Sequence, residues 1–135
     1  MTGFVLDAWA LLAWLQNEQP AASVVQEHLD AADQGKIQLH LSVVNAGEVF
    51  YRLAKSRSRK IAQRFRADLA GMPLRLHTPG TEEIWQAALL KSQAQISYAD
   101  GFAAGLAQRL GVVLVTGDPD FSGVSDLQVD WLTRK

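Results

Sequence analysis

The stretch from Ile96 to Phe121 constrains the fold most, because a helix, a buried strand and a turn follow one another within it. Apolar residues recur at helical spacing from Ala99 to Leu110, and Gly111 stands where a helix of this kind ends. The continuous apolar run at 112–115 is typical of a strand buried on both faces of a parallel sheet. Ligands bind at the carboxyl ends of such strands, so the turn that carries Asp118 is predicted to border a functional site.

Strands and helices alternate along the rest of the chain in the same way. The pattern predicts strands near residues 4–6, 37–41, 74–77, 112–115 and 129–132, the last of them at an edge of the sheet. It predicts helices near residues 8–16, 20–33, 43–55, 61–70, 81–95 and 98–110. Alternation of this kind favours an α/β fold with a central parallel sheet of about four to five strands and helices on both faces. With 135 residues, the chain is predicted to form one domain over residues 1–135.

The composition excludes several kinds of site. The chain has no cysteine, which excludes disulfides, thiolate metal ligands and cysteine nucleophiles. The longest apolar run, at 8–15, is too short to cross a membrane, and no secretory signal precedes it, so we expect a cytoplasmic protein without a membrane partner. The three histidines lack the spacing of metal ligands and are interpreted as ordinary surface or strand residues: His28, His40 and His77.

Four carboxylates are predicted to meet at the carboxyl edge of the sheet. Asp7 follows the first strand and Asp118 follows the strand before the last, so they face each other if those strands are neighbours. Glu48 lies on the second turn of the helix after strand two, and Asp100 lies in the first turn of its own helix. Each acid has an ordinary structural interpretation by itself. Asp7 and Asp100 suit helix N-termini, and Glu48 can form an exposed i,i+4 pair with Arg52, worth only ~0.3–0.5 kcal/mol.

A cluster of these four acids implies a particular chemistry. Unneutralised carboxylates repel one another and raise one another's pKa, and a divalent cation removes that penalty. Ligands that are all oxygen select hard cations such as Mg²⁺ or Mn²⁺. Such an ion activates water and stabilises charge on a phosphate, so the predicted site suits phosphodiester hydrolysis.

The basic residues are concentrated although the formal net charge is only −1. Seven of the thirteen lysines and arginines fall in one stretch that contains no acid: Arg52, Lys55, Arg57, Arg59, Lys60, Arg64 and Arg66. The stretch indicates a local positive field. The alternative interpretation is a helical hairpin that its charges keep in solution.

The first predicted helix is apolar on all sides and therefore needs burial on all sides. A surface helix on a sheet has only one side covered. We therefore expect the side with Trp9 and Trp14 to contact either a neighbouring helix or a partner chain, since tryptophan is enriched at interfaces.

Four motifs, in this order and spacing, resemble those of the PIN-domain ribonucleases, and most closely the VapC-type toxins of bacterial toxin–antitoxin pairs. They are Val5-Leu6-Asp7-Ala8, Asn45-Ala46-Gly47-Glu48-Val49, Ser97-Tyr98-Ala99-Asp100 and Leu114-Val115-Thr116-Gly117-Asp118-Pro119-Asp120-Phe121. The resemblance covers nearly the whole chain. One departure is Trp9, where the family usually has a small polar residue.

The resemblance implies a PIN fold and cleavage of RNA with Mg²⁺ or Mn²⁺. It assigns the catalytic and metal-binding positions to Asp7, Glu48, Asp100 and Asp118, with Asp120 as an additional acid and Thr116 as a hydroxyl beside the site. It also implies a homodimer and a VapB-type antitoxin that covers a hydrophobic groove and the active site.

Two further assignments follow from the resemblance. Trp9 and Trp14 fit the surface for an antitoxin. The basic stretch fits an RNA track, with Arg52, Lys55, Arg57, Arg59 and Lys60 as the candidate contacts.

Two other functions remain open at this level. A haloacid-dehalogenase-like phosphatase also places an aspartate after strand one, but it needs a second aspartate at the position that Trp9 occupies. A binding module without catalysis, in which the acids serve as caps and ion pairs, is the other alternative.

Overall fold

A five-stranded parallel sheet forms the centre of the fold in the computed structural model, which describes residues 2–135. The strands are β1 (Gly3–Leu6), β2 (Gln38–Ser42), β3 (Arg75–His77), β4 (Val113–Thr116) and β5 (Val129–Trp131). The helices are α1 (Ala8–Leu15), α2 (Ala21–Asp33), α3 (Val43–Ser56), α4 (Arg59–Leu69), α5 (Thr81–Gln93) and α6 (Tyr98–Leu110), and a 3₁₀ helix spans Pro119–Gly123. The α/β class, the parallel sheet and the edge position of the last strand are confirmed.

The strand order β3-β2-β1-β4-β5 places β1 between β2 and β4. The chain leaves β1 toward one side of the sheet and later returns to pair β4 on the other side. This reversal makes the carboxyl ends of β1 and β4 a topological switch point, the usual position of a ligand site in an open parallel sheet. The condition for Asp7 and Asp118 to face each other, that their strands are neighbours, is therefore met.

Both faces of the sheet are covered by helices, as predicted. In the pair formed by β1 and β4, Leu6 and Val115 lie in register and join the core beneath α1 to α4. The preceding register pair, Val5 and Leu114, points to the opposite face and packs with α6. Consecutive strand residues thus serve two separate cores, which explains the unbroken apolar runs in these strands.

The helix ends confirm two local predictions and correct two others. Ser97 and Asp100 form a reciprocal capping box at the start of α6, and Gly111 ends the helix with φ of 66°. The helix predicted at 61–70 begins at Arg59 instead, because the Ser58 hydroxyl accepts a hydrogen bond from the Ile61 N–H and caps it there. The helix predicted at 81–95 ends at Gln93.

Within residues 2–135, no helix combines the length and apolar character that crossing a membrane requires.

Candidate active site

Asp7 ties the ends of the two central strands together. Its side chain is 1% exposed and accepts a hydrogen bond from the Ala10 N–H at 2.9 Å, which caps α1. The other carboxylate oxygen accepts a hydrogen bond from the hydroxyl of Thr116, the last residue of β4. Burial raises the pKa of Asp7 from 3.8 to about 7, with small additions from the charges of Asp100 and Asp118, although both hydrogen bonds oppose the rise.

Thr116 also fixes the turn that carries Asp118. Its hydroxyl oxygen, fully buried, accepts a hydrogen bond from the Asp118 N–H at 3.0 Å. Asp118 in turn accepts a hydrogen bond from the Asp120 N–H at 3.0 Å and caps the 3₁₀ helix. Asp120 is exposed beside this turn. A chain of hydrogen bonds therefore runs from Asp7 through Thr116 to Asp118.

Asp100 reaches the same neighbourhood from the start of α6. Its carboxylate accepts a hydrogen bond from the Ser97 N–H at 3.2 Å, as part of the capping box. Burial raises the pKa of Asp100, and the nearby charges of Asp118 and Asp120 raise it further against the effect of the Ser97 hydrogen bonds. Asp100 therefore caps α6, as predicted, and also lies near other acids of the candidate site.

Glu48 approaches from α3 with one oxygen paired and the other unpaired. Its Oε2 lies 3.3 Å from the Arg52 Nε, so the predicted i,i+4 pair is present, but Glu48 itself is only 9% exposed. Burial raises the pKa of Glu48, while Arg52 lowers it and Asp100 and Asp118 raise it. The buried Oε1 has no hydrogen-bond partner among residues 2–135.

Asn45 contributes a second unpaired oxygen one turn earlier on α3. Its amide nitrogen donates to the Ala99 carbonyl at 3.0 Å, which joins α3 to the start of α6, and the residue is fully buried. Its Oδ1, like the Oε1 of Glu48, lacks a partner in the described part of the chain. Buried acceptors are almost always satisfied in folded proteins, so these two oxygens are expected to bind a water or a ligand.

The acids do not form a finished metal cage. Among residues 2–135, no group of three or more histidine, aspartate or glutamate side chains is close enough together to hold a metal ion as it stands. Local contacts account for this, since a cap or an ion pair holds each carboxylate in its own position. The donor set nevertheless fits a hard divalent cation, because it consists of oxygen atoms, two of which are buried and unpaired.

The three histidines lie away from the acids, two of them on strands and His28 on α2. His40 on β2 and His77 on β3 share a hydrogen bond of 2.8 Å between Nδ1 and Nε2, and His28 bonds the Val24 carbonyl. Their interpretation as ordinary structural residues agrees with these contacts.

The predicted RNA contacts divide into two groups. Arg52 and Lys55 line a cleft of about 460 Å³ that also reaches Asp118. Arg57, Arg59 and Lys60 are exposed at the junction of α3 and α4, and they do not line this cleft. The structure thus brings only the first two beside an acid of the candidate site.

The two tryptophans of α1 both have contacts within the chain. Trp9 lies with the far edge of its indole ring against Gly117 and with the Arg134 guanidinium 4.9 Å from its centroid. The Trp14 indole N–H donates to Gln26 at 2.8 Å. Both side chains are half-buried, and a role for them in binding a partner stays a prediction.

Sequence reasoning missed three residues of this region as site residues. Asn45 could have been included, since it lies three positions before Glu48 on the same helix. Tyr51 and Arg134 line the cleft beside Asp118. No local signal marks Arg134, because it comes from the far end of the chain.

The architecture is that of an α/β domain with a parallel sheet, and candidate acidic residues lie near its switch point. The chain belongs to the PIN domain family, whose sequence profile matches residues 4–127. This assignment sets aside the haloacid-dehalogenase-like alternative. A comparison with curated proteins gave no match.

Several solved structures share the fold. VapBC2 from Rickettsia felis, bound to a DNA fragment from its promoter, matches with a TM-score of 0.74 and 14% identity over 98% of this chain and 100% of its own. VapBC-1 from nontypeable Haemophilus influenzae gives a TM-score of 0.70 and 21% identity over 96% and 98%. A sarcin–ricin loop cleaving VapC toxin from Mycobacterium tuberculosis gives 0.70 and 18% over 93% and 98%. These likenesses establish the fold.

Proposed function

We propose that this protein is a Mg²⁺- or Mn²⁺-dependent endoribonuclease, the toxin of a VapBC-type toxin–antitoxin pair. One observation carries the proposal above the others. Four acids of a PIN domain lie near the carboxyl ends of β1 and β4, and two buried oxygens in the same region, on Asn45 and Glu48, have no hydrogen-bond partner among residues 2–135. These two acceptors are available to a water or to a cation.

In this proposal Asp7, Asp100 and Asp118 hold one or two cations with help from Glu48. A bound cation supplies an activated water and stabilises charge that develops on the RNA phosphate. Thr116 positions Asp7 and the turn of Asp118 through its two hydrogen bonds, and Asp120 adds negative charge beside Asp100. The chain itself needs no nucleophile for this chemistry.

RNA is the proposed substrate, and the basic side chains support this choice. Arg52 and Lys55 offer positive charge within the cleft that reaches Asp118. Arg57, Arg59 and Lys60 extend the positive surface onto α4. Phosphate contacts of this kind provide affinity that does not depend on base sequence.

A VapB-type antitoxin is the proposed protein partner. An apolar groove of about 400 Å³ lies between α3, α4 and β3, and it is lined by Val43, Ala46, Phe50, Phe65, Leu69 and Leu76 among others. Val43 and Leu76 on its rim are 41% and 45% exposed. A groove of this kind suits the apolar side of an amphipathic segment.

The central test is cleavage of total cellular RNA by the purified protein. With Mn²⁺ or Mg²⁺ we expect discrete products, and with EDTA or in Asp100→Asn we expect at least a roughly 100-fold slower reaction. Asparagine keeps an oxygen for the Ser97 N–H, so the capping box survives and the loss reports chemistry. Asp33→Asn, an exposed acid at the end of α2, is the matched control and should cleave like the wild type.

The same assay separates the non-catalytic alternative. A protein that binds no Mn²⁺ in calorimetry and cleaves no RNA would be a binding module, and the proposal would be wrong. Cleavage that persists unchanged in Asp100→Asn would also contradict it.

A homodimer is the proposed assembly, and an apolar strip on α5 supports it. Trp85 and Leu89 stand at i,i+4 on this helix and are 65% and 58% exposed, with Ile84 at 40% beside them. A second copy that covers this strip would remove from water the indole of Trp85, the most exposed tryptophan among residues 2–135.

We therefore expect Trp85→Glu to convert the dimer into a monomer, because a charge would be buried without a partner. Light scattering coupled to size exclusion measures the mass directly. Ile61→Glu on α4 places the same charge on a separate exposed apolar residue, 42% exposed, and should remain dimeric. A dimer in both variants would show that α5 is not the interface.

A further inference from the structure

The cleft of about 460 Å³ opens from the acidic site between α1 and α3, and its walls combine aromatic and cationic side chains. The residues that matter are Trp9, Tyr51, Arg52, Lys55, Asp118 and Arg134. Asp118 is the one candidate acid that lines the cleft, so a molecule bound there contacts a residue of the proposed reaction centre.

Trp9 is held in a defined position in this cleft. The far edge of its ring lies against Gly117, where any Cβ atom would collide with three atoms of the indole. Arg134 lies over the ring, and its Nη1 is 3.2 Å from the Glu18 carboxylate. The Trp9 indole is thus held beside the turn that carries Asp118. Gly117 leaves room for the ring, and Arg134, which is paired with Glu18, lies over it.

Tyr51 and Lys55 provide the opposite wall from α3. They stand at i,i+4 on the same helical face, and the Tyr51 side chain is 52% exposed. Arg52 extends beside them, with its Nε directed to Glu48 and its side chain 57% exposed. Tyr51 is thus an exposed aromatic ring on the same helix as two cations, Arg52 and Lys55.

We propose that this cleft binds an unpaired base of the RNA next to the cleaved bond, with stacking on Trp9 and Tyr51 and with Arg52 and Lys55 at the flanking phosphates. The proposal rests on the proposed ribonuclease function and assigns two further substrate-contacting residues to it. Stacking on an aromatic side chain requires a base that is free of a duplex.

An acidic segment of a protein is the competing occupant, and the lining favours RNA. Carboxylates would pair with Arg52, Lys55 and Arg134 but would leave the two aromatic rings without a function. A nucleotide uses both kinds of wall at once, since it carries a flat base and a charged phosphate. The volume of the cleft also falls within the range of small-molecule sites.

The test is binding of an eight-nucleotide single-stranded RNA in EDTA, where no cleavage occurs, measured by fluorescence anisotropy of a labelled strand. We expect Trp9→Leu and Tyr51→Leu each to weaken binding about tenfold or more. Trp131→Leu removes another exposed ring, 46% exposed, that does not line the cleft, and it should bind like the wild type. Calorimetry with Mn²⁺ should give the same affinity in all these variants, because their acids are unchanged.

The outcomes separate this inference from the proposed function. If RNA affinity is unchanged in both Trp9→Leu and Tyr51→Leu, the base-binding cleft is disproved even when cleavage is observed. Equal losses on single-stranded RNA and on a duplex of the same sequence would also overturn it, because stacking requires a free base. Loss of binding to an aspartate-rich peptide with RNA affinity intact would assign the cleft to a protein partner instead. The cleavage assay with metal tests the reaction itself. If Trp9→Leu does not fold, Tyr51→Leu still tests the cleft, because Tyr51 is exposed and its substitution should not affect folding.

Discussion

Asp7→Asn is expected to abolish RNA cleavage and, in the absence of divalent cations, to make the folded protein more stable at pH 8. Both effects have one cause. The proposed reaction requires an ionised carboxylate at Asp7, and burial of that charge destabilises the folded protein. Asparagine is as good a helix cap as aspartate, so the bond from the Ala10 N–H is retained. The Thr116 hydroxyl can turn to accept a hydrogen bond from the new amide. The substitution therefore removes the charge with little change in shape.

The pH dependence follows from the sign of the pKa shift. Because the pKa of Asp7 is raised from 3.8 in the unfolded chain to about 7 in the folded one, folding favours the protonated carboxyl. Below about pH 4 Asp7 is protonated in both the folded and the unfolded state, and it then does not lower the free energy of unfolding. As the pH rises from about 4 to 7 the unfolded state loses its proton first, and the folded state is progressively destabilised. Three pKa units correspond to about 4 kcal/mol, an upper limit because Asp100 and Asp118 adjust their own protonation.

Thermal unfolding in EDTA at pH 4.5 and pH 8 measures this prediction. We expect the variant to melt higher than the wild type by roughly 5 °C or more at pH 8, and by much less at pH 4.5. Added Mn²⁺ should raise the melting temperature of the wild type at pH 8 more than that of Asp7→Asn, because the ion stabilises the ionised form. The Asp33→Asn control should match the wild type in both buffers. A variant that is less stable at every pH would show that Asp7 is a structural cap whose charge costs nothing.

The residues that the sequence places well are those with a local signal. The capping box of Ser97 and Asp100, the stop at Gly111 and the pair of Glu48 with Arg52 depend on neighbours within a few positions, and the structure contains all of them. The sheet could be predicted because buried strands carry unbroken apolar runs. The parallel arrangement of the sheet could therefore be predicted without knowledge of contacts between distant residues.

The parts that the sequence could not provide depend on contacts between distant segments. Arg134 lies over Trp9 only because β5 brings the end of the chain back beside β4. The pKa of Glu48 depends in part on α6, because the charge of Asp100 raises it. From the sequence, Trp9 could be interpreted only as part of an apolar surface that another element buries. No residue near Trp9 in the sequence indicates that its ring packs against Gly117.

Three helical glycines should respond to alanine in opposite directions, and this is the second large effect that we expect. Gly47 on α3 has open space where a Cβ would be placed, so Gly47→Ala should stabilise the protein by about 0.5–1 kcal/mol through helix propensity alone. Gly105 on α6 would meet the Gln86 side chain at 3.1 Å, which can rotate away. Gly105→Ala should therefore remain within about 1 kcal/mol of the wild type.

Gly101 on α6 differs because its neighbour is backbone. A Cβ there would lie 2.7 Å from the Ala87 carbonyl oxygen and 3.2 Å from the Ala87 Cα, where α5 and α6 pack against each other. A main-chain atom cannot rotate out of the way, so Gly101→Ala must push the two helices apart. We expect a net loss of about 2 kcal/mol or more, despite the gain in helix propensity.

This substitution also connects packing to the site, since Gly101 follows Asp100 directly. Movement of the first turn of α6 displaces Asp100 and the Ala99 carbonyl that Asn45 holds, so Gly101→Ala should lose cleavage even at temperatures where it is folded. Urea unfolding gives the stability and the RNA assay gives the activity, with Gly105→Ala as the control on the same helix. Equal stability of the two α6 variants would mean that α5 can move without cost, and the close approach at Gly101 would not position the acid.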